Sequence, residues 1–463
     1  MSPRAWGILL VLSGAIFLEG IDVAMMGVAL PAIQDDLGMS TASLQWVVSA
    51  YVLGYGGFML LGGRAADLLG RRRMFLLWLT VFLVFSGLGG FADSGWVLIL
   101  SRFVTGLAAA FMTPAGLSII TTSMPEGPQR NRALLVYAGI AAAGFSLGLV
   151  VGGLLTGLHW RWVFFAPVIL AAIILVAALR LLPHEERPAR ASGFDVLGAI
   201  TITAAMLLLV TAVVRAPETS AARTASTAAA GLLVLAVFVA VERRSSAPLV
   251  RLGILRSAPL VRANIGAVAL AGSFAGFQFM LVQYLQHLRG WSATETGLAM
   301  LVVGIDAVLA PVLTPRLVAR FGNTRVIVAG FASASATYAF FTGIGADTVY
   351  AAMVPALLML GVGFALAYGP LTIAATDNIA EAEQGLAGGL FNTSFQFGTA
   401  LGLAVATAVN IAATTSDTPA GLLDGYRAAF VVPLVTAALG LVVTLGGLRG
   451  HRGLRGHRAE HAG

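Results

Sequence analysis

Two carboxylates, Glu19 and Asp22, stand inside an apolar stretch that begins at Trp6. Three residues apart on a helix, they lie within about 60° of each other on one face, with Asp22 about 4.5 Å further along the axis. A charged acid near the centre of a bilayer is costly, so it belongs beside a water-filled cavity, where it can exchange a proton or attract a cation. Two acids this close titrate as a coupled pair, which suits a group that loads a proton on one side and releases it on the other. Arg102 opens the segment RFVTGLAAA at a comparable depth and is a partner whose pairing with an acid can be made and broken. Asp306, in VVGIDAVLAP, falls near the middle of another apolar stretch and is a second candidate proton site on the same cost argument. For each of these four the plainer alternative is a structural acid or a static buried ion pair.

Six further polar residues lie within apolar stretches: Gln278, Gln283, Tyr284, Tyr368, Asn392 and Gln396. They are candidates for lining a substrate cavity, against the alternative of ordinary hydrogen bonding between helices. The segment GRAADLLGRRR supplies Gly63, Asp67, Gly70, Arg71 and Arg72. Its glycines permit a tight turn between two helices. Asp67 can accept from an arginine on a neighbouring helix, so this loop is a candidate gate. Gly144, Gly148, Gly152 and Gly153 form a ladder on one face of their segment, which allows close helix packing or hinging.

Several chemistries are excluded or unsupported. There is no cysteine, which removes disulfides, thiolate chemistry and cysteine-based zinc sites. There is no lysine, since all 28 basic residues are arginine, and a P-loop needs its lysine on the phosphates. The six histidines show no metal-ligand spacing, and no nucleophile triad is visible, so neither an enzyme nor a metal site is expected. No cofactor is expected either; the energy source would be an ion gradient.

These residues are embedded in a chain of 463 residues that is 58% hydrophobic and only 11% charged, with a mean hydropathy of +0.90. Soluble domains carry about a quarter charged residues. Apolar runs of about 20 residues recur throughout, each long enough to cross about 30 Å of hydrocarbon. The alternating ten-residue strands of a β-barrel are absent. The spacing predicts spans at about 7–31, 44–65, 74–92, 96–120, 133–157, 162–182, 196–214, 226–241, 262–287, 295–318, 325–345, 349–373, 383–411 and 427–448, fourteen in all. The first run is too long and too acidic for a signal peptide and reads as a retained helix.

An even number of spans puts both termini on one side. With that side cytoplasmic, Arg71, Arg72, Arg73, Arg243, Arg244, Arg320 and the C-terminal arginines all fall inside. This is the positive-inside bias. The net charge of +7 therefore marks topology beside anionic lipid rather than a nucleic-acid surface. Arginine in place of lysine, with abundant Ala, Gly and Val, suggests a bacterial chain, and hence the inner membrane.

GGRAADLLGRRRMF at 62–75 aligns with TPRLVARFGNTRVI at 314–327, so Gly70 meets Gly322 and Arg73 meets Arg325. Parallel repeats of this kind characterise two-lobed transporters. The expected architecture is all-α and integral to the membrane: an N-terminal six-helix lobe (1–182), a linker with two additional helices (183–261), a C-terminal six-helix lobe (262–448) and a cytoplasmic basic tail (449–463).

The pattern Gly63-x-x-x-Asp67-x-x-Gly70-Arg71-Arg72 resembles the signature loop of the major facilitator superfamily. LQWVVSAYVLGYGGFMLLGGRAADLLGRRR, ID…VALPAI, LVQYLQHLRGWSATETGL and LFNTSFQFGTALG further resemble its fourteen-span drug:proton antiporters, over nearly the whole chain. The glycine ladder is similar to the antiporter motif, with Leu149 at the position of its proline, and Phe395 stands where a basic residue often precedes Gln396. The resemblance implies the major facilitator fold, alternating access, and proton-driven export of a small lipophilic cationic or neutral drug or antibiotic by a monomer. It places the family's acid at Asp22 and its Arg-x-x-x-Gly pattern at Arg102 and Gly106. Two other readings stay open: a proton-coupled uptake symporter of the same fold, and a lipid flippase or non-transporting membrane scaffold.

Overall fold

The computed structural model describes residues 2–123, 128–183, 195–216, 219–245, 248, 252–376, 379 and 381–460. Within these the side chains of a few helical residues, Arg64 and Asp67 among them, lie outside the described set. The described chain is helical throughout. Its helices are α1 (Pro3–Leu37), α2 (Thr41–Leu69), α3 (Arg71–Gly90), α4 (Gly95–Ser123), α5 (Pro128–Leu158), α6 (Trp162–Leu181), α7 (Val196–Val214) and α8 (Ala221–Arg244). They continue with α9 (Ala258–Gln283), α10 (Ala293–Met300), α11 (Asp306–Phe321), α12 (Asn323–Thr342), α13 (Tyr350–Thr376), α14 (Glu381–Ala413) and α15 (Pro419–Glu460). Among the described residues, eleven helices are long and apolar enough to cross a membrane.

Each of the fourteen expected spans falls on a helix, with two departures from a plain rod. The ninth ends in a π-turn, Tyr284–Leu288, and the tenth is broken by a 3-10 turn, Leu301–Ile305, between α10 and α11. Asp306 therefore begins α11 instead of lying within one continuous helix. The last helix runs beyond its apolar part, through the basic segment to Glu460.

Helix ends follow local chemistry. Ser2 caps α1 by accepting from the Ala5 amide, with Pro3 in the first turn, where a missing N–H is harmless. Gly38 ends α1 at φ 60°, a conformation that favours glycine, and Ser40 starts α2. Ser292 and Glu295 close a reciprocal capping box on α10. The repeat seen in the sequence has a backbone counterpart: Gly70 between α2 and α3 has φ 98°, ψ 124°, and Gly322 between α11 and α12 has φ 85°, ψ 154°.

Two compact units emerge. The first comprises Met1–Leu249 with Leu281–Leu301, and the second Val250–Met280 with Val302–Gly463. In the first, α2 packs on α4, α1 on α5, and α3 on α4 and α6; the α7–α8 hairpin lies against α2, and α10 against α5. In the second, α12 packs on α13 and α15, and α14 on α15. Backbones approach closely at small residues. Pro114 cannot donate to the Ala110 carbonyl, and Gly62 lies so near that carbonyl that a Cβ there would collide with it. Large apolar side chains such as Leu179, Ile173 and Val176 on α6 remain on the outside, as a lipid-facing surface requires.

Candidate functional site

Asp22 and Arg102 meet within the first unit. Arg102 Nη1 donates to Asp22 Oδ2 at 2.7 Å, and the two side chains are 2% and 0% exposed. Arg102 also donates from Nε to the Val47 carbonyl at 3.4 Å, and its guanidinium lies 4.4 Å from the centre of the Tyr51 ring. A buried guanidinium needs this many partners, because each undonated N–H would be left without water. The reach is set by glycines. Gly106, one turn beyond Arg102, touches the Tyr51 carbonyl with no room for a Cβ, and Gly54 meets the Phe103 carbonyl in the same way. The two backbones are thus close enough for Arg102 to lie across α2 and reach α1.

Glu19 makes a separate set of contacts. Its Oε2 accepts from Thr113 Oγ1 at 2.6 Å, and Tyr55 hydrogen-bonds to it as well. It is 8% exposed. Tyr51 and Tyr55, one turn apart on α2, meet edge to face at 6.1 Å. Glu19, Asp22, Tyr51, Tyr55, Arg102 and Thr113 thereby form one polar stripe through apolar helices. The sequence reading took in Glu19, Asp22 and Arg102 but missed Thr113 and the two tyrosines. Their signal was present: Tyr51 and Tyr55 stand at i, i+4 spacing in a helix that is otherwise mostly apolar.

The sequence argument expects both acids to face water. The structure differs: the Asp22 carboxylate has no exposed surface, and Glu19 is buried as well. Arg102 stabilises the Asp22 carboxylate with a counter-charge and a hydrogen bond in place of solvation by water, and the Tyr51 ring lies against the guanidinium. One oxygen, Asp22 Oδ1, is buried without a hydrogen-bond partner among the described residues.

Three glycines of the ladder pack against α1. A Cβ at Gly144 would press on the Phe17 carbonyl at 2.7 Å, one at Gly148 on Ala24 Cβ at 2.7 Å, and one at Gly152 on Met25 Cα at 2.6 Å. These three seat α5 directly against α1 on either side of the acids. Gly153 instead faces α10, where its carbonyl accepts from Thr294 Oγ1 at 3.0 Å.

The other expected residues are dispersed. In the loop after α2, Arg72 donates from Nε to the Leu182 carbonyl at 3.2 Å and from Nη2 to the Leu179 carbonyl at 3.3 Å, so it closes the C-terminal end of α6. Gly63 is near Pro114, and the Asp67 side chain lies outside the described residues. Gln283 donates to Gln34 Oε1 at 3.4 Å, and Arg289 donates to the buried Tyr284 hydroxyl at 3.4 Å, all in the first unit. Asp306, Gln278, Tyr368, Asn392 and Gln396 belong to the second unit. There Asn392 donates to the Gly388 carbonyl at 3.1 Å, and Gln278 Nε2 is buried without a partner among the described residues. Asp306 is half-buried at the start of α11.

A further cluster is not announced by the sequence. Asp36 Oδ2 accepts from Trp160 Nε1 at 2.9 Å and from Arg161 Nη1 at 3.0 Å, and Arg161 Nη2 donates to the Ala92 carbonyl at 3.0 Å. It ties together the end of α1, the α3–α4 turn and the α5–α6 turn. No local pattern announces it, because its members are far apart in the chain.

Three comparisons bear on what such an arrangement does. The profile of the Major Facilitator Superfamily matches residues 12–403. The chain is 34% identical over 460 residues to the puromycin resistance protein pur8 of Streptomyces alboniger, covering 96% of this chain and 90% of that one. It is 36% identical over 431 residues to the cephamycin export protein CmcT of Amycolatopsis lactamdurans, covering 90% and 87%. A crystal structure of the nucleoside transporter NupG superposes with a TM-score of 0.69 at 13% identity, covering 96% of this chain and 99% of that one, which is a likeness of fold.

Proposed function

Because the chain belongs to the major facilitator superfamily, we propose that it is a secondary active exporter that moves a small lipophilic drug or antibiotic, cationic or neutral, outward in exchange for protons. The observation that carries this reading is the Asp22–Arg102 pair with Glu19 beside it: acids held inside a span, one matched by a buried cation and one by hydroxyls. A solute with differential affinity for two conformations is required to drive either one. In this reading protonation of Asp22 from outside weakens its hold on Arg102 and favours release of the drug. Loss of that proton to the inside re-forms the pair and restores drug binding. Glu19 is the second proton-coupling group, and Asp306 a third in the second unit.

The remaining assignments complete the reading. Gln278, Gln283, Tyr284, Tyr368, Asn392 and Gln396 contact substrate. Gly63, Asp67, Gly70, Arg71 and Arg72 form a gating loop. The lobes are residues 1–182 and 262–448, with 183–261 an inserted hairpin; the matching turns at Gly70 and Gly322 support that division. The protein is a multi-pass membrane protein. A bacterial inner membrane, cytoplasmic termini, anionic lipid contacts and a monomeric state belong to the proposal. No cofactor enters it, and the proton gradient is the energy source.

The test is transport in right-side-out proteoliposomes loaded with drug. Acidifying the outside should speed drug loss, and an uncoupler should abolish the effect. Accumulation of external drug under the same gradient would identify an uptake symporter instead. In cells, expression should raise drug tolerance only while the proton gradient is intact.

A further inference from the structure

The aromatic residues of the second unit fall into two groups. Phe277, Tyr338, Phe341 and Phe430 pack together with centroids 4.8 to 5.5 Å apart, and each is 0% exposed. That group is core. The other group is open. Phe364 and Tyr368, one turn apart on α13, are parallel to within 9° at 5.4 Å, and Phe395 on α14 stands across them at 80° and 76°. Phe274 on α9 backs Phe364 at 4.6 Å, and buried Phe391 supports Tyr368 at 6.0 Å. Tyr368 remains 37% exposed. Two ring planes at near right angles, with Tyr368 exposed and Phe364 and Phe395 half-buried, make a corner suited to a flat ring, stacked on one wall and edge-on to the other.

The surroundings do not suit lipid. Asn392 and Gln396 each follow one of the α14 phenylalanines, and half-buried Gln278, one turn from Phe274 on α9, has an Nε2 without a hydrogen-bond partner among the described residues. Amides are disfavoured against hydrocarbon. They suit a ligand with a hydrogen-bond acceptor beside its ring. Resting on the drug-export reading above, we infer that the corner formed by Phe364, Tyr368 and Phe395 binds the planar aromatic ring of exported compounds and so sets which drugs this protein prefers.

The test compares two probes in proteoliposomes: ethidium, a planar aromatic cation, and lincomycin, which has no aromatic ring. Tyr368→Leu and Phe395→Leu should each raise the KM for ethidium about tenfold relative to that for lincomycin. Tyr368→Phe and Tyr368→Trp keep a ring and should retain the wild-type ratio. Tyr368 also packs on Phe364 and Phe391, so the amount of folded protein is checked by thermal melting for each variant. Equal loss for both probes, or an unchanged ratio, would overturn the inference. So would a wild-type protein that exports lincomycin but not ethidium, although the export reading would then stand. A wild-type protein that moves neither probe would overturn both.

Discussion

Asp22 Oδ2 is held by Arg102 at 2.7 Å, while Asp22 Oδ1, equally buried, accepts from nothing among the described residues. The carboxylate is half-satisfied: one oxygen is paired with a cation and the other is buried without a hydrogen bond.

Substitutions at Asp22 should separate coupling from folding. In Asp22→Asn the amide oxygen still accepts from Arg102, so membrane-inserted protein stays near wild-type amounts while proton-driven export is lost. Asp22→Ala leaves the guanidinium unpaired, at a cost of about 3–5 kcal/mol. Melting in detergent should show a clear loss for Asp22→Ala and a smaller one for Asp22→Ala with Arg102→Leu. Wild-type export rates in Asp22→Asn would remove this residue from the mechanism.

Glu19→Gln keeps an acceptor for Thr113 and Tyr55 but cannot ionise. Drug export measured from pH 5.5 to 8.5 should lose part of its pH dependence, with folded protein retained. Thr113→Val removes a hydrogen bond worth about 1 kcal/mol and should alter the same profile. A profile unchanged in both variants would assign Glu19 a structural role.

Gly106→Leu should be severe, because the Tyr51 carbonyl occupies the space its side chain needs. Separating α2 from α4 would also pull Arg102 away from Asp22. The expected loss is about 1–3 kcal/mol of stability, with export abolished. Gly27→Ala is the control, since nothing lies within 4 Å of a Cβ there. A melting temperature unchanged by Gly106→Leu would mean that the helices can part freely.

Gly322→Ala tests backbone strain alone. Its φ is 85°, and no atom lies within 4 Å of an added Cβ. With ψ 154° this is a region essentially restricted to glycine, and an L-residue there costs about 1–3 kcal/mol. Thermal melting should fall accordingly, and Gly70→Ala, with φ 98°, should behave alike. An absence of effect at both positions would show that the turns relax without penalty.

Much of the molecule was legible because membrane solvent imposes simple rules. Apolar length located the spans, and the recurring glycine of the 62–75 and 314–327 segments marked matching turns. The glycine ladder was legible for a similar reason, since only small residues at that spacing let helices touch. The break at Leu301–Ile305 was not legible, because hydropathy is blind to hydrogen-bond register. Asp36 was also missed: its partners Trp160 and Arg161 arrive from another turn of the chain, and no local pattern links them.

By itself, then, the sequence determined that this chain lives in lipid, that its two halves echo each other, and that Glu19, Asp22 and Arg102 are costly groups to place inside spans. Each of those conclusions follows from residue type and spacing along the chain. The tertiary structure alone decided the pairing: Arg102 went to Asp22, Glu19 went to Thr113 and Tyr55, and the Asp22 carboxylate was closed off from water. Those choices depend on how near α1, α2 and α4 come to one another. That distance is set by contacts between residues remote in sequence, such as Gly106 beneath the Tyr51 carbonyl.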